Sequence, residues 1–227
     1  MENRDFPVVG DDLSCLGRAS AAKVWDMELF VATGNAHKLL ELAPALPAQT
    51  LKRPEDAGLR GFDVEEDGAS FMDNAMKKAL TLYRLIGKPS LADDSGLAVR
   101  ALGGAPGVLS ARYGSPDGGE TKLDAAGRNR FLLARMAEEE DRSCAFVCCL
   151  VLVLSEDRFF AVQETCPGQL LRESRGAGGF GYDPLVWLPE LGKTVAELGV
   201  DEKNRVSHRG RACARLNGLI AELDRRP

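Results

Sequence analysis

The chain has 227 residues and a formal net charge of −5, from 29 Lys and Arg against 34 Asp and Glu. That balance argues against a general binder of nucleic-acid polymers, which needs excess positive charge, but leaves room for a nucleotide held through a divalent cation. Hydrophobic residues at 44% exclude a disordered chain, and aromatics at 6% leave the core to aliphatic side chains.

Residues 1–26 are polar and lack periodicity, so they read either as an N-terminal extension of unassigned role or as the product of a start codon upstream of Met27. The functional domain is expected over residues 27–227, as one compact mixed α/β unit with a cleft. Leu29 to Ala32 reads as a short buried strand, followed by a Thr33-Gly34-Asn35 turn able to cap a helix. Leu39, Leu42 and Leu46 then fall at helical spacing, with a stop expected at Pro47. Ser70-Phe71-Met72-Asp73 has capping-box form and predicts a second helix to about Ile86, closed by Gly87 and Pro89. Ser90 to Ala92 predicts a brief strand entering Asp93-Asp94-Ser95-Gly96. A third helix is expected over Leu123–Glu139 and a central strand over Cys144–Leu154. Phe159–Thr165 reads as its hairpin partner across Ser155-Glu156-Asp157, and a last helix is expected over Arg209–Asp224. The longest apolar run, Phe146–Leu154, falls well short of the roughly 20 residues of a membrane-spanning helix. No secretory signal is expected either, since the first residues carry Asp5, Asp11 and Asp12 and no apolar stretch. The six cysteines, Cys15, Cys144, Cys148, Cys149, Cys166 and Cys213, form no C-x-x-C pair and suit buried reduced thiols of a cytoplasmic protein.

Four segments carry chemistry. Thr33-Gly34-Asn35-Ala36-His37-Lys38 lies where a strand meets a helix, so its N–H groups and Lys38 suit an anion; taken alone, the motif reads more readily as an ordinary N-cap followed by a surface lysine. Asp93 and Asp94 end an apolar strand, and alternation lets one face a cleft while the other braces loop N–H groups. With Glu65 or Glu66, Asp94 would offer the hard oxygens Mg²⁺ prefers, whereas an Asp-Asp-Ser-Gly turn would satisfy its own backbone. Gly176–Gly181 formally matches G-x-G-x-x-G but lacks a preceding strand and a following helix. It reads instead as a glycine loop presenting Phe180 for stacking and Asp183 as an acceptor, with Pro184 pushing Asp183 towards extended geometry. In Asp201–Gly210, Ser207 can cap the last helix, and basic His208 and Arg209 in its first turn oppose the helix dipole, which suggests service to a ligand. His37 and His208 are the only histidines, so a multi-histidine metal site is excluded.

Taken together, FVATGNAHKLLEL, VEEDGASFMDNAMKKA, LADDSGLAVRALGGAPGVLSARYG and GGFGYDPLVWLPELGKTVAELGVDEKNRVSHRGRA resemble the inosine triphosphatase family, the noncanonical purine NTP pyrophosphatases. The resemblance implies an elongated mixed sheet with flanking helices and two lobes around a central cleft. It implies Mg²⁺-dependent hydrolysis of ITP, dITP or XTP to the monophosphate and pyrophosphate, usually by a homodimer. By position it makes Asp94 the proton acceptor and a metal ligand with Glu66, or alternatively Glu65, and makes Asp93 a support. Thr33, Gly34, Asn35, Ala36, His37 and Lys38 would hold the triphosphate and Ser95 would touch substrate. Phe180, Gly181, Tyr182, Asp183, Lys203, His208 and Arg209 would form the base pocket. A donor from Arg209 or His208 aimed at the C6 oxygen of hypoxanthine or xanthine would reject the adenine amino group. His37 departs from the residue common at its position and is expected to point to solvent; the extension also departs from typical members. A non-catalytic purine-nucleotide sensor and a pyrophosphatase for modified pyrimidine nucleotides are the competing readings.

Overall fold

The structure is a computed structural model, and it describes residues 27–117 and 123–223. The proposed extension, Cys15 and Asp224 therefore lie outside the described residues. In chain order the elements are β1 (Glu28–Val31), α1 (Ala36–Ala45), β2 (Thr50–Lys52), α2 (Phe71–Ile86), β3 (Ser90–Val99) and α3 (Ala125–Arg135). They continue with β4 (Ser143–Ser155), β5 (Arg158–Leu170), β6 (Val186–Leu188), β7 (Lys193–Thr194), α4 (Val200–Val206) and α5 (His208–Leu223). The strands form one mixed sheet in the order β2-β1-β3-β4-β5-β6-β7. β1 runs parallel to β2 and β3, and the remaining pairs are antiparallel.

The period-2 alternation of the central strands sorts their side chains onto two faces. Leu29, Val31, Leu91, Cys148, Leu150 and Leu152 pack with Leu42 of α1 and with Ala212, Cys213, Leu216 and Ile220 of α5. Their neighbours Phe30, Ala32, Ala92, Cys149, Val151 and Val153 pack on the other face with Ala75, Ala79 and Leu82 of α2. A third cluster, including Leu97, Val99, Phe146, Leu132 and Leu185, fills the far end of the long strands. The FVCCLVLVL run is thus a strand buried on both faces, which explains its continuous hydrophobicity.

Local signals act as expected at several ends. Ser70 accepts from Asp73 N while Asp73 accepts from Ser70 N, and Gly87 ends α2 at φ 63°. That reciprocal cap stabilises the helix start by about 1 kcal/mol. Asn35 caps α1 and Asp124 caps α3. Ser207 Oγ accepts from Gly210 N and so caps α5.

Several expectations need correction. The strand at Ser90 is not brief: it continues through the Asp-Asp-Ser-Gly segment to Val99, because all ten residues find register partners on β4. β5 likewise runs to Leu170, beyond the expected Thr165. Pro167 pairs with Ala145 at a point where the β6 pairing, confined to Gln169 and Leu170, asks for no donor. α1 includes Pro44 and ends at Ala45, short of the expected stop, and α3 is shorter than expected at both ends. Asp183 does not become extended before Pro184 but opens a 3-10 turn over Asp183–Leu185. Its carboxylate is tied to Phe180 N and Lys203, and a proline in a first turn sacrifices no needed N–H.

Candidate active site

One strand dipeptide organises the site. Asp93 and Asp94 are consecutive in β3, so their side chains leave opposite faces of the sheet, and both are buried. Asp93 does not brace loop N–H groups as expected. It faces α1 and α5, where Oδ1 meets Lys38 Nζ at 2.6 Å and Oδ2 accepts from Arg209 Nε at 2.6 Å. Ser95 Oγ donates to Asp93 at 2.8 Å, and the Cys148 thiol lies 3.4 Å from Oδ2. Burial alone would raise the Asp93 pKa, but Arg209 and Lys38 outweigh it and hold the carboxyl well below the ordinary value of 3.8.

Asp94 faces α2. Lys78, in the middle of that helix, directs its ammonium to three oxygens: Glu66 Oε1 at 2.6 Å, Asp94 Oδ1 at 2.9 Å and the Asp93 carbonyl at 2.9 Å. One turn earlier Asn74 donates to Asp94 Oδ2 at 3.4 Å and accepts from Gly68 N at 2.8 Å, which fastens the loop bearing Glu65 and Glu66. Burial pushes the Asp94 carboxyl above 3.8 in spite of Lys78. The Glu66 carboxyl, less deeply placed, also feels burial, yet Lys78, Lys38 and Arg112 bring it below 4.5. Glu65 is exposed and Glu66 reaches inward, so Glu66 is the loop carboxylate beside Asp94.

These groups line a cleft of about 600 Å³ that runs from Thr33, Gly34, Asn35 and Lys38 past Glu66, Lys78 and Asp94 to Phe180, Lys203, His208 and Arg209. Ser95, Gly181, Tyr182 and Asp183 also line it, while Ala36 and His37 do not. His37 is exposed, as expected, but not free, because its ring stacks on Phe180 at a centroid distance of 5.3 Å. Phe180 also lies 5.2 Å from the Lys203 ammonium and 5.8 Å from the Arg209 guanidinium. Tyr182 is largely core, donating its hydroxyl to the Ser110 carbonyl at 3.0 Å. Asp183 holds Lys203 at 2.7 Å and the Phe180 N–H at 2.8 Å, so it braces the glycine loop from within. Burial lifts its carboxyl above 3.8.

The basic start of α5 is resolved by partners that the spacing did not reveal. Arg209 is buried and held by Asp93, Ser95 and Glu41, and Glu41 also pairs with Lys203 at 2.6 Å. His208 stacks on Phe146 at 4.9 Å, and its buried Nδ1 has no partner. Burial, reinforced by Arg209, holds the imidazole pKa well below 6.5, so the ring is neutral at neutral pH. Lys78, Glu41, Asn74 and Arg112 were missed in the sequence. Arg112 lines the cleft and donates to the Glu66 carbonyl. Among the described residues no three His, Cys, Asp or Glu side chains cluster as a metal cage. Glu66 and Asp94, both reached by the Lys78 ammonium, offer hard carboxylate oxygens of the kind Mg²⁺ takes alongside water or phosphate oxygens.

A model of the Ham1 family matches residues 29–218. The dITP/XTP pyrophosphatase of Treponema denticola is 46% identical over 194 residues, covering 86% of this chain and 98% of that protein. The dITP/XTP pyrophosphatase of Thermus thermophilus is also 46% identical, covering 84% and 90%. Among solved structures, a HAM1 protein from Coxiella burnetii superposes with a TM-score of 0.77 at 35% identity, covering 86% of this chain and 99% of that one. The mixed α/β fold around the cleft and the relatives agree with the resemblance carried by the four motifs: the chain belongs to the Ham1 family.

Proposed function

We propose that the protein hydrolyses noncanonical purine nucleoside triphosphates (dITP, XTP and ITP) to the monophosphate and pyrophosphate, using Mg²⁺. The observation that carries the reading is the convergence of Asp94, Glu66 and Lys78 in one cleft with the Phe180, Lys203 and His208 end. The pyrophosphatase names of the relatives support it.

In this mechanism the start of α1, with Thr33, Gly34, Asn35 and Lys38, receives the phosphates on backbone N–H groups and an ammonium. Glu66 and Asp94 would hold Mg²⁺, which would supply Lewis-acid neutralisation of phosphate charge. Asp94 orients the attacking water and accepts its proton. Lys78 and Lys38 oppose the charge that develops on the phosphate oxygens. Phe180 stacks on the base. Arg209 is committed to Asp93, Glu41 and Ser95, which leaves neutral His208, in the tautomer that carries its proton on Nδ1, as the freer donor for the C6 oxygen. An adenine amino group there would set donor against donor. Asp93 acts as the buried anchor of Lys38 and Arg209. From the family resemblance we expect a homodimer, and the buried described cysteines, with the Cys144 thiol pushed up to about 12 by burial, suit a reducing cytoplasm.

The test is a panel of ITP, XTP, dITP, GTP, ATP and modified pyrimidine triphosphates with Mg²⁺, following pyrophosphate against orthophosphate. Pyrophosphate release with preference for ITP and XTP is expected. Orthophosphate as the sole inorganic product, equal rates on ATP and ITP, or binding without turnover would each overturn the reading.

A further inference from the structure

The Lys78 ammonium has three N–H donors, and each finds an oxygen: Glu66 Oε1 at 2.6 Å, Asp94 Oδ1 at 2.9 Å and the Asp93 carbonyl at 2.9 Å. The side chain is only 8% exposed. Two of those oxygens belong to the carboxylates assigned above to the metal. A cation taken by those same two oxygens would stand where the ammonium stands. A second positive charge cannot enter while the first is held there, since like charges at a few ångströms in a poorly screened cleft repel strongly. Free Mg²⁺ also parts reluctantly with its waters and gains only two carboxylates here. A nucleotide changes both terms. Its phosphates bring oxygens that complete the coordination shell, and they offer the displaced ammonium a new anionic partner.

From this geometry we infer that Lys78 occupies the divalent-cation seat of the free protein, so that metal enters with the nucleotide and not ahead of it. Lys78 then moves from the carboxylates to the phosphates, so one side chain serves as a stand-in cation before binding and as a phosphate ligand after it. The inference rests on the assignment of Glu66 and Asp94 to the metal. Neighbouring cations do not substitute for Lys78: Lys38 is engaged by Asp93, and Arg112 reaches the Glu66 backbone carbonyl, not its carboxylate.

The test is Mn²⁺ binding to the full chain without nucleotide, read by electron paramagnetic resonance, for the wild type and Lys78→Met. Methionine keeps a long unbranched stem in the buried channel and removes the charge. The variant is expected to bind Mn²⁺ at least about tenfold more tightly than the wild type, even though its turnover falls. Equal or weaker affinity in a folded variant overturns the inference. A second measurement needs no variant. Thermal unfolding of the wild type should be almost unmoved by millimolar Mg²⁺ alone and should rise when Mg²⁺ is added with the α,β-methylene analogue of ITP. The analogue without metal should give a smaller rise. A full rise with Mg²⁺ alone overturns the inference. Absence of pyrophosphate release from any triphosphate would instead defeat the functional reading, and the Mn²⁺ titration would still report whether Lys78 excludes the ion.

Discussion

Asp93→Asn isolates the buried anchor of the cleft with almost no change of shape. The carboxylate is fully buried and gives one oxygen to Lys38 and the other to Arg209, both at 2.6 Å. An asparagine has one oxygen, so its amide N–H₂ must face one of the two cations and replace an attraction with donor against donor. Removing one member of a buried ion pair costs about 3–5 kcal/mol. Glu41 still holds Arg209 and the residue 93 carbonyl still accepts from Lys38, so a loss near about 3 kcal/mol is expected. The sign of the pH dependence follows from the depressed Asp93 pKa. A carboxyl held below its unfolded value of 3.8 contributes stability that is present above that value and lost as pH falls through the folded one. Urea unfolding should therefore show a constant gap between wild type and variant from neutral pH down to about pH 4, closing in stronger acid. A gap below about 1 kcal/mol at neutral pH, or one that persists undiminished in acid, would refute the assignment of Asp93 as the ionised anchor.

Other outcomes follow from the same site. Asp94→Asn should lower turnover by at least about 10², the scale of a lost general base, and near-normal pyrophosphate release would remove Asp94 from that role. His208 is neutral when folded and must gain a proton when unfolded below its ordinary pKa of 6.5. Its depressed folded pKa makes protonation favour the unfolded chain as pH falls through that value, so wild type should lose more stability than His208→Gln between pH 7 and pH 5 in urea titrations. A Cβ on Gly210 would collide with the Asn204 backbone carbonyl where α4 turns into α5. Gly210→Ala should accordingly cost at least about 2 kcal/mol, with a lowered unfolding midpoint as the readout.

Much of this architecture is written locally. The reciprocal Ser70 and Asp73 cap, the Asn35 cap and the β4–β5 hairpin all depend on neighbours within a few positions, which is where sequence patterns carry information. The extent of β3 was less legible, because Asp-Asp-Ser-Gly has turn composition and only the facing strand keeps it extended. The ends of the sheet were also missed, since β2, β6 and β7 have two or three residues each and offer no periodicity. Within the site, Lys77 and Lys78 are adjacent and chemically identical. Lys77 pairs with exposed Asp67, whereas Lys78 turns inward to Asp94 and Glu66. Nothing local separates them; the difference is the helix phase against a strand 16 residues away in Asp94. Glu41 escaped for a similar reason, as its partners Lys203 and Arg209 lie at the other end of the chain.

Asp93 and Asp94 sit opposite Leu150 and Cys149 in an uninterrupted run of ten β3–β4 pairs. A slip of a single position along that ladder would exchange the two carboxylates, presenting the anchor to Lys78 and the reactive group to Arg209. The division of labour between them is thus a property of strand phase as much as of either residue. Insertions or deletions within β3 should be tolerated far less well than conservative changes at its apolar positions. The ten-pair ladder acts here as an indexing device for chemistry that occurs near its midpoint.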